Sequence, residues 1–332
     1  MTQTYHQRSL FWPLILIGVG AIWLLSNAGI LQPASIGMLF RLWPVILIII
    51  GLDLLFGRNN PTLGTIIGLG GVALIVVLML VGPGLGLVKN VEVQQAAYTE
   101  PVGDASSASV SLSVGVAQTH ITALNDSSDL FDADLRYVGE VEYKVTGTSE
   151  KYITLTQKGS TSTSEFFGWF DGPQNLRWDI GLNPNIPLTL NVNAGVSDTT
   201  LDLQDLQIAD LRVSGGVGNL TVNVPNMDYP YHVNVSGGVG DFRISIEEGA
   251  ALTIDVSGGV GEVNIDVPDG AAVKVDGSTG VGSISVPSDY QRVSGNDEAI
   301  GDSGVWQSPN FEESSRQIVI HFDGGVGGFT VR

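Results

Sequence analysis

The chain has 332 residues, of which 43% are hydrophobic and only 15% are charged, and its net charge is −19. The length predicts about two domains, and the acidic balance excludes nucleic-acid binding, which needs a basic surface to neutralise phosphates. Because the chain contains no cysteine, disulfides, thiolate metal sites and cysteine nucleophiles are excluded as well.

The charge is unevenly distributed along the chain. Residues 1–89 carry four basic side chains and one acidic side chain, a net charge of +3, whereas residues 90–332 carry 11 and 33, a net charge of −22. The first part is also where the long apolar runs lie. The two parts are therefore expected to occupy different environments, a bilayer and water.

Three apolar runs predict three transmembrane helices, at residues 10–31, 36–56 and 63–81. About 20 apolar residues suffice to cross a hydrocarbon core of about 30 Å. The third run is uncharged as far as Val88, but Gly82-Pro83-Gly84 should end its helix near Val81. Around this region, 10–88, we assign residues 1–9 to an N-terminal tail and 89–98 to a linker.

The first two runs are copies of each other. FWPLILIGVGAIWLL (11–25) aligns with LWPVILIIIGLDLLF (42–56) at an offset of 31 residues. The copy argues that the first run is retained and is not a cleaved signal peptide. Two interpretations remain open: membrane anchors with interfacial tryptophans, or a helix-pairing surface that binds another membrane protein. The protein is expected in the cell membrane as a multi-pass protein, with the acidic part outside the cytoplasm.

A repeat begins in the second half of the chain. The glycine that precedes the turn valine lies at positions 195, 216, 238, 259 and 280, at spacings of 21 or 22 residues. Each repeat has a small-Gly-Val-Gly turn between strands of alternating apolar and polar residues, which predicts a β-solenoid-like domain with two strands per repeat. DGGVGGFTVR (323–332) closes the series. The clearest copies are VSGGVGNLTVNVP (213–225), VSGGVGDFRISIE (235–247) and VSGGVGEVNIDVP (256–268).

The alternation predicts which side chains form the core. Apolar residues such as Leu220, Val222 and Val224 should point inward, and Thr221 and Asn223 outward, because the strand repeats every two residues. The turn valines are expected to stack in one buried column beneath the turn: Val217, Val239, Val260 and Val281.

Two segments interrupt the repeats. The first, 165–178, concentrates four aromatic residues in a loop that contains glycine: Phe166, Phe167, Trp169 and Phe170. This loop is either a cap on the open end of the β-stack or a tip that contacts the membrane or a partner. The second segment, 288–316, is predicted as a polar, acidic loop containing Trp306.

The sequence contains no motif for a nucleophile elbow, a zinc metalloprotease or a phosphate-binding loop. Carboxylates on the polar face have the chemistry of a glycosidase pair or a calcium site, but their spacing selects no pair. They are Asp198, Asp202, Asp241, Asp255, Asp266 and Asp276. We therefore predict no catalytic residue, no metal and no cofactor, and a protein that is not an enzyme.

The duplicated Trp-Pro helices resemble the transmembrane region shared by LiaI and LiaF, bacterial envelope-stress membrane proteins. SLSVGVAQTHITAL (111–124), VEYKVTG (141–147) and the segment 175–225 resemble the toastrack domain. Trp178, Pro184, Pro187, Leu188 and Leu190 match the family's tryptophan strand and the segment that follows it. The resemblance implies a toastrack-like part over 99–203, and the repeats predict a GGVG-repeat solenoid over 204–332.

The family is associated with restraint of a sensor histidine kinase and with responses to cell-wall antibiotics. The resemblance therefore implies a non-catalytic accessory protein of envelope-stress sensing. Its expected partners are the lipid bilayer, a sensor histidine kinase or another membrane protein, and a second copy of the chain in a homo-oligomer. The alternatives are a surface adhesin or structural scaffold with a β-solenoid ectodomain and, third, a β-helix carbohydrate enzyme.

Overall fold

A computed structural model describes residue 20 and residues 43–57, 61–81, 93–125, 128–158, 175–297 and 301–332. The described residues fall into two compact units. A helical unit contains those up to residue 81, and a β unit contains those from residue 93 onward.

The helical unit contains two helices in the described residues. Helix α1 is Trp43–Leu52, followed by a π-helical turn at Asp53–Gly57, and helix α2 is Pro61–Val81. Gly71 lets α2 approach Ile49 of α1, since a Cβ at this glycine would lie 2.8 Å from an Ile49 methyl carbon.

These helices overlap the predicted spans 36–56 and 63–81, whereas the span 10–31 lies outside the described residues except for Gly20. Across the residues that the structure describes, no helix has both the length and the apolar character needed to cross a bilayer. The three spanning helices therefore stay a prediction.

The β unit consists of two facing sheets. Sheet A contains β1 (Gln94–Pro101), β3 (Gln118–Ala123), β4 (Asp129–Tyr137), β7 (Arg177–Leu182), β9 (Thr199–Asp202), β11 (Leu220–Val224), β13 (Phe242–Ile246), β15 (Val263–Asp266), β17 (Ile284–Ser285) and β21 (Phe329–Val331). Sheet B contains β2 (Ser107–Val116), β5 (Glu140–Thr146), β6 (Glu150–Lys158), β8 (Leu188–Val196), β10 (Ile208–Val217), β12 (Tyr231–Ser236), β14 (Leu252–Ser257), β16 (Ala272–Val281), β18 (Gln291–Asp297), β19 (Asp302–Gln307) and β20 (Gln317–Val326). Strand β1 begins within the segment assigned to the linker.

The predicted alternation is confirmed in both sheets. Leu220, Val222 and Val224 are buried between the sheets, and Thr221 and Asn223 are more exposed. The family positions Trp178, Leu188 and Leu190 are fully buried in the same core. Burying each large aliphatic side chain contributes about 1.5–3 kcal/mol, which holds the two sheets face to face.

One strand of sheet B followed by the next strand of sheet A forms a rung of the stack. The rungs β8–β9, β10–β11, β12–β13 and β14–β15 follow one another in chain order and pair in parallel. The last rung of the chain, β20–β21, departs from this order because it lies between β14–β15 and β16–β17. The final repeat therefore closes the series along the chain but lies inside the stack.

At the other end of the stack, the spatial order of the strands again differs from their order in the chain. Strand β2 lies between β6 and β8, and β3 lies between β7 and β9. Antiparallel strands border the stack near both ends, where β5 pairs with β6 and β19 pairs with β16. Such borders limit edge-to-edge association of a long parallel sheet.

The prediction of a polar loop at 288–316 is wrong for most of its length. Residues in this segment form the antiparallel pair β18–β19, which extends sheet B beyond β16, and a short 3-10 helix at Phe311–Glu313. Trp306 is only 7% exposed, and the Arg292 guanidinium lies 5.1 Å from the centre of its ring. The buried indole ties the hairpin to the core.

Candidate interaction surface

The corner between the two sheets is built by three glycines in each central rung, as Gly237, Gly238 and Gly240 illustrate. A Cβ on Gly237 would lie 1.8 Å from a ring carbon of Phe242, and a Cβ on Gly238 would lie 1.9 Å from the carbonyl oxygen of Gly216. Gly240 has a φ of +148°, which side chains disfavour. The first glycine thus makes room for a core ring, the second for the neighbouring rung, and the third for the turn.

The valines of successive corners line up in a column along the stack. We call this column the valine ridge. Paired residues follow one another in the order Val116, Val196, Val217, Val239, Val260, Val326 and Val281. The predicted stacking is therefore confirmed, but the predicted burial is wrong. The last five of these valines are 49–51% exposed, because the corner turns their side chains outward.

The ridge dominates the exposed apolar surface of the β unit. Among its described residues, eight large hydrophobic side chains are exposed, and five of them are ridge valines. The other three are Tyr152, Tyr229 and Val293. Contiguous apolar surface of this kind marks interaction sites, whereas single exposed residues do not.

A ladder of polar side chains follows the sheet A side of the ridge: Asp198, Asn219, Asp241 and Glu262. Asp198 accepts a hydrogen bond from the backbone N–H of Asn219 at 2.9 Å, and Asp241 accepts one from that of Glu262 at 3.1 Å. The Asn219 amide oxygen accepts the Asp241 N–H at 3.3 Å. None of the three carboxylates has a basic ion-pair partner among the described residues.

Serines follow the sheet B side of the ridge. Ser214 and Ser236 are hydrogen-bonded at 3.0 Å between their hydroxyl oxygens, and Ser278 donates to Asp323 at 3.2 Å. The ridge therefore has an acidic border on one side and a largely neutral polar border on the other.

The other predicted carboxylates do not converge. Asp202 lies beside the Asn223 amide, Asp266 pairs with Arg332 at 2.6 Å, and Asp276 lies 3.9 Å from His321. The part of the chain that the structure describes holds no group of three metal-ligating side chains.

The predicted aromatic site, Phe166, Phe167, Trp169 and Phe170, lies outside the described residues. The choice between a cap and a contact tip is therefore still a prediction. Strands β6 and β7, which flank this segment in the chain, lie near the end of the stack where β1 and β5 border the sheets.

Sequence reasoning missed an aromatic cluster at that end. Tyr98 of β1 stacks on Tyr143 of β5 with ring centres 4.6 Å apart, and Phe131 lies 5.9 Å from Tyr143. Burial, reinforced by Glu100, raises the pKa of Tyr143 to about 12. The alternation in VEYKVTG places Tyr143 on one face with Val141 and Val145, but its ring partner Tyr98 comes from a strand about 45 residues earlier in the chain.

A largely buried ion pair lies near the same end. The Lys151 ammonium contacts Glu100 at 2.6 Å and donates to the carbonyl oxygen of Pro101 at 2.6 Å. It joins β6 of sheet B to β1 of sheet A. Because both charges are satisfied, this pair is a structural connection between the sheets.

Three family models match the chain in succession. They are the LiaI-LiaF-like transmembrane region over residues 10–55, the N-terminal domain of toast_rack over 88–245, and the C-terminal domain of LiaF, described as cell wall-active antibiotics response, over 231–331. The chain has the LiaF-type arrangement. A LiaI/LiaF-like transmembrane region is followed by a toastrack β-domain, as the sequence resemblance implied.

No match to this LiaF-type chain was found among curated proteins. Similar solved structures include a protein described as a cell adhesion protein from Clostridium sporogenes, 19% identical, which covers 72% of this chain and 99% of its own at a TM-score of 0.47. Two described as adhesins are from Bacteroides fragilis, 12% identical, and Parabacteroides distasonis, 11% identical. The Bacteroides fragilis match covers 73% of this chain and 97% of its own, at a TM-score of 0.30. The Parabacteroides distasonis match covers 73% of this chain and 99% of its own, at a TM-score of 0.26.

Proposed function

We propose that this protein is a non-catalytic regulatory component of a cell-wall stress response, which acts on a sensor histidine kinase through contacts in the membrane and at the β unit. The observation that carries the proposal is the succession of the transmembrane, toastrack and LiaF C-terminal family models along one chain. An exposed apolar ridge on a rigid double sheet suits a contact function better than a reaction.

The kinase proposal is tested by reconstitution. The full chain and the sensor kinase from the same membrane are placed together in liposomes, and kinase autophosphorylation is measured. We expect slower autophosphorylation with the full chain than with a chain that ends after Val88. A kinase indifferent to the full chain would refute the proposal.

We further propose three membrane-spanning helices with the β unit on the extracytoplasmic side. The net charge of +3 in residues 1–89 against −22 in residues 90–332 supports a membrane part and an aqueous part. Topology reporters after Val88 and at Arg332 should both report the outside, and one at Asn59 should report the cytoplasm. Cytoplasmic signals at Val88 and Arg332 would reverse the orientation.

The aromatic loop is proposed as a tip that contacts the bilayer or a membrane partner. Clustered aromatic side chains favour such interfaces. Serine at Phe166, Phe167, Trp169 and Phe170 should weaken membrane or partner association while the β unit keeps its melting temperature. Unfolding of this variant would instead support a cap on the stack.

A surface adhesin is the second candidate, favoured by the polar outer rows of sheet B, such as Ser214 and Ser236. An adhesin would hold cells or ligands through these faces whatever anchors it. Adhesion that survives replacement of residues 1–92 by an unrelated membrane anchor, with no effect on the kinase, would favour this alternative.

A further inference from the structure

We infer that the valine ridge is the docking surface for a cationic amphipathic helix of a partner protein. The inference deepens the proposed regulatory function, on which it rests, by naming the surface and the chemistry of the partner.

The apolar part of the inference follows from the repeated choice of valine. The β unit leaves the last five ridge valines, from Val217 to Val281, about half exposed. Threonine has the same shape and also suits extended backbone, yet all seven ridge positions are valine. With strands about 4.8 Å apart, the seven valines form an apolar line roughly 29 Å long.

The charge around the ridge selects the occupant. Asp198, Asp241 and Glu262 border it without basic partners in the described residues, and residues 90–332 carry a net charge of −22. A second copy or an anionic membrane would bring like charge to this border, which is unfavourable. A segment with lysine or arginine beside its apolar face would neutralise the free carboxylate oxygens.

The spacing of the ridge selects a helix over a strand. A helix presents an apolar residue about every 5.4 Å along its axis, and a strand about every 6.7 Å on one face. The repeat of the helix is near the rung spacing of about 4.8 Å, whereas the repeat of the strand is not.

Binding is tested with the full chain in nanodiscs of zwitterionic lipid and an 18-residue synthetic helix of leucine and lysine with all leucines on one face. Fluorescence anisotropy, corrected for empty nanodiscs, measures the dissociation constant. The control peptide has the same composition in an order that gives no apolar face. The helix should bind at least about tenfold more tightly than the control.

Two sets of variants separate the contributions of the ridge and its acidic border. Val217→Thr, Val239→Thr and Val260→Thr together should weaken binding about tenfold, whereas Val293→Thr, another exposed valine, should have no effect. Asp198→Asn with Asp241→Asn should weaken binding and reduce its salt dependence. Asn219 already accepts a backbone hydrogen bond in the same ladder, so this variant keeps the fold.

The inference is overturned if the triple threonine variant, with an unchanged melting temperature, binds the helix as tightly as the native chain. Equal binding of the control peptide, or a ridge-dependent change in oligomeric state in its place, would also overturn it. These measurements contain no kinase. Helix binding at the ridge can therefore be refuted while kinase inhibition is observed. Kinase inhibition can likewise be refuted while helix binding at the ridge is observed.

In native membranes, a photoreactive residue at Val239 identifies the occupant. We expect crosslinks to map to a lysine- or arginine-rich helix of another protein. Crosslinks only to lipid or only to a second copy of this chain would contradict the inference.

Discussion

Glycines in the corners of the stack differ in the space around them. A Cβ at Gly238 would press on the backbone of the neighbouring rung, whereas a Cβ at Gly328 would meet nothing within 4 Å. A backbone carbonyl cannot rotate away as a flexible side chain can, so the whole rung must shift. The cost of a methyl group therefore depends on the position within the motif.

We expect Gly238→Ala to lower the free energy of unfolding by about 2–3 kcal/mol, as overpacked sites do. Gly328→Ala should change it by less than about 0.5 kcal/mol. Urea unfolding of both variants measures the difference. Equal effects would show that the tight contact between neighbouring rungs is not what requires glycine at position 238.

Two tyrosines differ in whether their hydroxyl groups form hydrogen bonds, and they can be compared in the same way as the two glycines. Among the described residues, the Tyr143 hydroxyl is buried without a hydrogen-bond partner, whereas that of Tyr231 donates to the carbonyl oxygen of Pro225 at 2.5 Å. At pH 7, Tyr143→Phe should therefore leave stability unchanged within about 0.5 kcal/mol, and Tyr231→Phe should cost about 1 kcal/mol. Thermal unfolding of the two variants tests this, and a larger loss at position 143 would contradict it.

Tyr143 also predicts how the stability of the β unit changes at alkaline pH. Burial raises the pKa of Tyr143 from 10.0 to about 12. Because the unfolded chain ionises first, the stability from the protonated phenol is fully present below pH 10 and is lost as pH rises towards 12. Tyr143→Phe should make the loss of stability between these values less steep in denaturant titrations. An unchanged slope would contradict the assignment.

At the scale of elements, one arginine secures the rung that lies out of order. Arg316 precedes β20, and its guanidinium donates to Asn226 and to the carbonyl oxygen of Met227, each at 2.6 Å, and to the carbonyl oxygen of Gly249. These acceptors lie in the turns before β12 and β14. Three hydrogen bonds that span 67 to 90 residues of chain fix where the last rung enters the stack.

Arg316→Ala should therefore loosen β20 and β21 by about 1–2 kcal/mol, seen as faster amide hydrogen exchange over 317–331. Arg212→Ala is the control, because Arg212 pairs with Asp210 only two residues away on its own strand. Exchange that is unchanged in Arg316→Ala, or equally faster in both variants, would show that the turn contacts do not hold the rung.

At the scale of the whole molecule, the end of the chain is not the end of the stack. Strand β20 has β14 on one side and β16 on the other, so the C-terminal residues join the rungs before them to the hairpin β18–β19. In a solenoid stacked in chain order, removing the last repeat only shortens the array. Here it removes an internal rung.

A chain that ends after Gln317 should thus lose protection from amide exchange in β14, and not only in β16 to β19. Its melting temperature should fall by several degrees, since both faces of the missing rung are internal. Retention of native exchange in β14 would show that β16–β17 re-pairs with β14–β15 in chain order.

The sequence by itself determined the inward and outward faces of the strands, the glycine corners, the alignment of the valines and the LiaF-type arrangement. These follow from the two-residue period of a strand and from recurring local motifs. Only the tertiary structure decided the rung order, the exposure of the valine ridge, the hairpin at 288–316 and the Tyr98–Tyr143 stack. Every rung offers the same apolar face and the same backbone edge, so local patterns cannot say which rungs are neighbours. Contacts between residues far apart in the chain make that choice, and the angle of the glycine corner, not the apolar character of valine, turns the ridge towards solvent.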